Sequence, residues 1–357
     1  LREQSLAKVL GLDIGGANSK AAYVVTQKGG AIKEVKVAVE YFPVWKEPAK
    51  LSEALLKLKK SLSQEALDGV GVTMTAELSD AYQTKREGVN GILDCVQKTF
   101  TGLPIYVLNV DAKLEPPIRA RDAPLSVAAA NWAATGWLVS QYFENCVVVD
   151  IGSTSTSIIP VINGKVSAQS KTDLDKLLSG ELVYTGSLRT NVAAIVQAVP
   201  VKGGVAGVSS ELFALSGDVH LVLGHITEEQ YISETADGRG KTRFEALARL
   251  ARVVCADTEM LTEAEIVEIA NYIYSKQVQQ VTNGLSRVYT RAKQLASTKV
   301  PVLVAGLGKD FLARKAAEQV GADVIMDLAE LLPKGVSLAV PSVGVALMAA
   351  KKLESEA

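Results

Sequence analysis

One pattern occurs twice in this chain and restricts its fold more than any other. It is an apolar strand ending in Asp-x-Gly, a short turn, and a second apolar strand. The first copy reads VLGLDIGGANSKAAYVV, from Val9 to Val25, and the second CVVVDIGSTSTSIIPVI, from Cys146 to Ile162. Aligning Asp13 on Asp150 puts Gly15 on Gly152. A tight hairpin needs glycine but has no use for the aspartate. A phosphate-binding turn uses both. Backbone N–H groups reach a phosphate where no Cβ intervenes, and a strand-end carboxylate acts by holding Mg²⁺ beside the phosphate oxygens. Two copies, each near the start of one half, predict an α/β chain of two duplicated domains around a central cleft, with the turns facing each other. A P-loop is excluded, because no GxxxxGK[ST] occurs and a strand follows each turn.

The remaining segments fit that scheme. Leu10 to Asp13 reads as a buried strand and Ser19 to Thr26 as its partner, closed by Lys28-Gly29-Gly30. Helical spacing runs from Lys50 to Leu62 and from Glu87 to Phe100, with strands at Val70 to Met74 and Pro104 to Asn109. Pro124 to Ser140 reads as one small-residue helix. The second hairpin ends in Asn163-Gly164, which tolerates positive φ at both residues, and Pro160 marks an edge or a bulge. Helices follow at Thr242 to Ala256 and Glu263 to Leu295, the latter weakened at Asn283-Gly284. Val302 to Val304 is a strand, followed by AGLGKD, a helix through Val320, a strand at Val324 to Met326 and a last helix from Pro341. The expected domains are 1–145, on which part of the last helix can pack back, and 146–357, with a helical insertion around 175–300 and the late GLG element.

Composition removes several function classes. The 357 residues include 38 basic and 39 acidic ones, a balance that gives no case for nucleic acid or an anionic membrane. No apolar run approaches the roughly 20 residues that span a bilayer. The opening LREQSLAKVLGLD lacks a signal peptide's apolar core, so a cytoplasmic location is expected. Cys95, Cys146 and Cys255 are odd in number and form no CxxC pair, which predicts buried, reduced thiols. His220 and His225 lack the spacing of a helical metal pair.

Candidate phosphate ligands are Gly15, Gly16, Asn18 and Lys20 in the first turn and Gly152, Ser153, Thr154 and Thr156 in the second. Gly306 and Gly308 partly imitate a dinucleotide fingerprint, but Phe311 stands where its third glycine would be. They read either as a close-approach turn beside a ligand or as simple helix entry. TMTAELSDAYQTKREG, at a strand's C-terminal end, offers Glu77, Asp80, Lys85 and Glu87. ELVYTGSLRTN offers Arg189 and Thr190 to an anion, and TADGRGKTR offers Asp237 and Arg239. Ordinary charged loops and turns are the competing reading of these three clusters.

The two hairpins and the late GLG element resemble the actin, sugar-kinase and Hsp70 ATPase superfamily. A closer resemblance covers nearly the whole chain. LDIGGANSK, MTAELSDAYQTKREGV, AAANWAATG, VVDIGSTSTSIIPVINGK, ELVYTGSLRT, ELFALSGDVHLVLG, TADGRGKTRFEALARLARVVCAD and PVLVAGLG are similar to an archaeal and methylotroph family. That family is labelled hydantoinase/oxoprolinase-like, or one-carbon-transfer pathway protein. Its archaeal role implies a condensation in methanofuran biosynthesis. The phenol oxygen of γ-glutamyltyramine attacks the methylene of [5-(aminomethyl)furan-3-yl]methyl diphosphate, an aryl ether forms, and diphosphate leaves. The reading of the residues fits that reaction, with Asp13 and Asp150 on Mg²⁺, a base among Glu77, Asp80 and Asp237, and phosphate contacts that include Lys85, Arg189 and Arg239. Small-molecule substrates are expected, with a homodimer as the oligomeric option, and the absence of a clear adenosine-site double glycine disfavours ATP as the main ligand. The family turn usually reads DIGSTTTD, and Ser157 stands here in place of its second aspartate. That departure gives weight to an ATP-dependent kinase or ligase of the same superfamily, or to a non-catalytic nucleotide-binding protein.

Overall fold

The computed structural model describes residues 7–27, 30–332, 336 and 339–356. The chain forms two compact units. One is built from the stretch up to Asn145, Ile159–Lys176, and the stretch from Leu328 onward; the other from Cys146–Ile158 and Leu177–Asp327.

The chain opens with strands β1 (Ala7–Ile14), β2 (Asn18–Thr26) and β3 (Ile32–Tyr41), then helix α1 (Leu51–Leu62) and β4 (Gly69–Met74). Next come α2 (Lys85–Thr99), β5 (Ile105–Leu108), β6 (Leu114–Glu115), α3 (Pro117–Asp122) and α4 (Asn131–Ser140). The second hairpin is β7 (Cys146–Ile151) and β8 (Thr156–Ile162), followed by β9 (Lys165–Val166), α5 (Asp173–Ser179) and β10 (Leu182–Val183). A ribbon of β11 (Ala198–Val201) and β12 (Gly204–Gly207) precedes α6 (Ser216–Val222), α7 (Arg243–Arg252) and α8 (Glu263–Leu295). The last elements are β13 (Val302–Gly306), α9 (Arg314–Gln319), β14 (Ile325–Asp327), α10 (Leu328–Leu331) and α11 (Val340–Glu356).

The first sheet has the order β3-β2-β1-β4-β5-β6. Strands β1 to β3 are an antiparallel meander, and β4 and β5 continue parallel to β1. Leu10, Leu12 and Ile14 of β1 alternate onto a core shared with Leu51, Leu55 and Leu58 of α1 and Val89, Ile92 and Leu93 of α2. The opposite face carries Gly11 and Gly71, and α11 packs there. A Cβ on Gly11 would lie 1.9 Å from the Ser342 carbonyl, and one on Gly71 2.6 Å from that of Val345. Glycine at both positions lets the helix backbone reach the sheet.

The second sheet repeats the path as β10-β8-β7-β13-β14, with β13 parallel to β7 and β14 parallel to β13. A hairpin followed by two parallel strands thus occurs in each unit. Strand β8 passes from the second unit into the first after Ile158. Pro160 falls between its short partners, β10 opposite Thr156 and Ser157, and β9 opposite Val161 and Ile162.

Several expectations are corrected. Pro124 to Ser140 is not one helix: a 3₁₀ turn ends at Ser126, Ala129 takes φ +50°, and α4 begins at Asn131. The long α8 is continuous through Asn283-Gly284, because the bare Gly284 receives Val183 and the Gly180 carbonyl. The segment after GLG enters through a π turn at Lys309–Ala313 before α9. The stretch around 175–300 also carries β10 to β12 and is not purely helical. Of the three free cysteines only Cys146 is buried; Cys95 is half-buried and Cys255 exposed. The expected closure at Lys28-Gly29 lies outside the described residues. Among the described residues, no helix is long and apolar enough to cross a membrane.

Candidate functional site

In the first unit the turn after β1 is closed by the Gly15 N–H donating to the Asn18 carbonyl at 3.1 Å. Gly16 and Ala17 offer their carbonyls to Val44 and Phe42, which pins the turn from outside. Asp13 lies opposite Lys20 on β2 and beside Thr73 on β4, so the three side chains form a row on one face. It is the face on which α11 packs, and Ser342 in that helix's first turn lies against Gly11.

β4 then delivers Glu77. Thr75 and Ala76 donate their N–H groups to the Ile14 carbonyl at 2.9 and 3.1 Å, so Glu77 emerges beside the end of β1. Gly88 of α2 abuts its backbone; a Cβ there would meet the Glu77 carbonyl at 2.2 Å. The Glu77 side chain is 0% exposed. Neither carboxylate oxygen has a hydrogen-bond partner among the described residues, and the same holds for Thr73 Oγ1 and Asn18 Oδ1. Among the described residues Glu77 pairs with Lys85 Nζ at 3.4 Å, and that ammonium also reaches Asp173 at 3.0 Å. Burial lifts the Glu77 carboxyl above its usual range, while Lys85 opposes the shift. Burial pulls the Lys85 ammonium down, but Glu77 and Asp173 together raise it, so it stays charged. A buried carboxylate with one long ion pair and a raised affinity for a proton is equipped to accept one.

In the second unit the matching turn is closed in the same way, Gly152 N–H to the Ser155 carbonyl at 3.0 Å. Two loops flank it. Ser187 donates to the Gly152 carbonyl at 2.9 Å, and Leu188 and Arg189 to that of Ser153 at 3.0 and 2.9 Å. The Arg189 guanidinium also donates to Thr154 Oγ1 at 3.3 Å. On the other side, Gly306 at φ +81° leaves no room for a Cβ, which would sit 2.3 Å from the Ile151 carbonyl and 2.7 Å from Asp150 Oδ1. A Cβ on Gly308 would lie 2.7 Å from Ser187 Oγ, a buried hydroxyl without a hydrogen-bond partner among the described residues. Asp150, Gly152, Ser153, Thr154, Arg189, Gly306 and Gly308 are therefore gathered in one place.

Other candidates have different roles. Thr156 donates its hydroxyl to the Thr185 carbonyl at 2.8 Å and is buried. Asp80 is exposed, and Glu87 accepts from the Gln83 N–H inside the cap of α2. Asp237 binds Arg252 at 2.6 Å and Arg249 at 3.2 Å. Partial burial pushes its carboxyl up, but hydrogen bonds from Arg252 and the Arg239 backbone N–H, with both guanidinium charges, bring it down to about 2. A carboxylate held that low is a poor base, and Arg239 itself is exposed. Thr190 is turned inward, its Oγ1 accepting from the Gly186 N–H at 2.9 Å. Sequence reasoning missed Asp173 and Ser187. Asp173 carries no local signal, because it meets Lys85 across 88 residues of chain. Ser187 was within reach, since it lies between glycine and the arginine already singled out in ELVYTGSLRTN.

Asp13 and Asp150 each offer carboxylate oxygen, the donor type that suits Mg²⁺. That ion typically takes one or two protein carboxylates and completes its shell with water and substrate phosphate. Among the described residues no three His, Cys, Asp or Glu side chains are grouped to hold a metal by themselves.

Comparisons with known proteins show what the chain is similar to. The chain is 38% identical over 347 residues to (4-{4-[2-(γ-L-glutamylamino)ethyl]phenoxymethyl}furan-2-yl)methanamine synthase of Methanocaldococcus jannaschii, covering 97% of this chain and 98% of that one. It is 34% identical to the protein of the same name from Methanococcus vannielii, over 61% of this chain and 97% of that one. Among solved structures, a nucleotide-free acetone carboxylase superposes with a TM-score of 0.54 at 9% identity, covering 96% of this chain and 70% of that one. The hydantoinase/oxoprolinase family model matches residues 68–352. That match takes in the Glu77 segment, the second hairpin, the GLG turn and most of α11, and the chain belongs to the hydantoinase/oxoprolinase family.

Proposed function

We propose that this chain is a synthase of methanofuran biosynthesis that joins a phenol oxygen to a furan methylene. The observation that carries the reading is similarity over 97% of this chain to a synthase whose name contains a phenoxymethyl-furan unit. The bond to be made is then the aryl ether. In the proposed reaction the phenol oxygen of γ-glutamyltyramine attacks the methylene of an aminomethyl-furanmethanol diphosphate. The carbon–oxygen bond to diphosphate breaks, diphosphate departs with the bonding pair, and the phenolic proton passes to a carboxylate.

Glu77 is the carboxylate proposed for that proton. A phenol with a pKa near 10 needs a positioned base, and the raised affinity of Glu77 for a proton narrows the gap. Lys85 favours the ionised form of Glu77 against the effect of burial, a role proposed here in place of a phosphate contact. The diphosphate is assigned to the turn at Gly152, Ser153 and Thr154 with Arg189, Gly306 and Gly308. Backbone N–H groups and one guanidinium there would meet the charge that grows on the leaving group. Asp150, beside that turn, is the carboxylate proposed for Mg²⁺, which when bound would supply further neutralisation of diphosphate, and Asp13 is the matching carboxylate proposed at the first unit's turn. Gly15, Gly16, Asn18 and Lys20 complete the first turn.

The test is to incubate the protein with Mg²⁺ and both substrates, following the ether by mass spectrometry and the released diphosphate. Parallel wells replace the furan diphosphate with ATP. Ether formation without ATP, lost in Asp150→Ala, supports the reading. ATP turnover without ether would replace it with the kinase or ligase chemistry.

A further inference from the structure

Behind the second hairpin lies a buried polar chain that the proposed chemistry does not use. Gln277 of α8 is 0% exposed and donates through Nε2 to Thr185 Oγ1 at 2.9 Å and to the Gly186 carbonyl at 2.8 Å. Its Oε1 faces His220 Nε2 at 3.0 Å, and His220 Nδ1 faces His225 Nδ1 at 3.2 Å. One atom fixes every proton in this chain. The Gly186 carbonyl can only accept, so the Gln277 group facing it is the NH₂. The Gln277 oxygen then faces His220, whose Nε2 must carry hydrogen. With both rings neutral, His220 Nδ1 accepts and His225 Nδ1 donates. Burial keeps His220 far below its ordinary range, which holds that ring neutral.

The chain ends on both loops that flank the hairpin. At one end, Gly186 packs against Thr154, where a Cβ would lie 2.5 Å from the Thr154 carbonyl carbon, and the next three residues bind Gly152 and Ser153. At the other end, His225 stacks on Phe311 with centroids 5.0 Å apart and planes 17° from parallel. Phe311 sits in the π turn that follows Gly308, and its carbonyl accepts from Tyr274 at 2.6 Å. An all-apolar contact would hold α8 against these loops without choosing an orientation. A polar chain with one permitted set of protons selects a single arrangement of both loops.

We infer that His225, His220 and Gln277 form a fixed-tautomer brace that sets the two loops around the second hairpin, making Gln277 a positioning residue for the anion held there. The anion part rests on the reading of that hairpin as the diphosphate seat; the brace itself does not. The chain contains 2 histidines, so ¹⁵N-histidine labelling of the full-length protein gives a spectrum with one pattern per ring. One ring is expected as the Nε2–H tautomer and the other as Nδ1–H, both neutral at pH 7.5. In Gln277→Met the His220 tautomer is released. Amide exchange at Ser187, Leu188 and Arg189 speeds by at least about tenfold, and affinity for inorganic diphosphate falls by about tenfold. Gln279→Met, an exposed change on the same helix, leaves all three readouts unchanged. Should Gln277→Met fail to fold, Thr185→Val removes one acceptor and carries the same exchange readout. Two rings in the same tautomer, or unchanged exchange at residues 187–189, would overturn the brace. Wild-type protein with the expected tautomers and exchange but no affinity for diphosphate would leave the brace standing and remove the diphosphate seat.

Discussion

Glu77 and Asp237 show how environment separates carboxylates that look alike in sequence. Both sit in charged segments, and nothing local ranks them. The structure buries Glu77 beside a single ammonium and sets Asp237 between two guanidinium groups. Glu77→Gln is expected to reduce ether formation by about 10²- to 10⁴-fold. It is also expected to raise the thermal midpoint at pH 7.5. The raised carboxyl binds its proton more tightly folded than unfolded, so its contribution to stability is present at low pH and is lost as pH rises through the folded value. The gain from Glu77→Gln should therefore vanish below about pH 4, which melting curves across pH will check. Asp237→Asn has the opposite signature. Its carboxyl is depressed from 3.8 to about 2, so its stabilisation is present above 3.8 and is lost as pH falls through 2. Losing it leaves the buried Arg249 short of a partner and should cost about 3 kcal/mol at neutral pH, with kcat nearly unchanged. Denaturant titration beside steady-state kinetics separates the two outcomes.

At the scale of elements, the hairpins were legible and their surroundings were not. An apolar strand, Asp-x-Gly and a second apolar strand leave little conformational choice, and both copies fold with the same Gly N–H to carbonyl closure. Helix α8 was legible because its apolar spacing holds over 33 residues and Thr262 with Glu265 caps its start. Strand β3 carries no such pattern, since none of its residues is buried. The small-residue stretch ending in α4 hid its break at Ala129, because alanine spacing reads alike in helix and turn. The GLG element was ambiguous for a different reason. Glycines at helix entry and glycines that admit another backbone look the same until the neighbour is seen, and here the neighbour is Asp150 with Ile151. Gly306→Ala tests that distinction. A Cβ at φ +81° against the Ile151 carbonyl is strained twice, by conformation and by contact. The variant is expected to lose about 2–4 kcal/mol of stability and to bind inorganic diphosphate at least about tenfold more weakly, measured by melting and by calorimetry.

For the whole molecule, the two-sheet actin-like architecture followed from finding the hairpin twice, and the fold bears that out. Repetition alone does not say what lets part of the last helix pack back on the first domain. The last helix belongs with the first sheet, because Gly11 and Gly71 open a face on β1 and β4 that only a helix with small residues can cover. Such a pairing joins residues more than 270 positions apart, and neither partner's local pattern names the other. It has a consequence for stability. Ala346 would be met at 2.8 Å by any Cβ at Gly11, so the contact is already closed at the resolution of one methyl group. Ala346→Leu is expected to cost about 1–3 kcal/mol through overpacking, and the cost should fall on the first unit. Hydrogen exchange reads this directly. Protection should drop in β1, β4 and α11 together, because they share one packed face, while β7 and β13 keep theirs. Equal loss in both units would mean that they unfold as one cooperative body, and loss confined to α11 would mean that the first sheet stands without it.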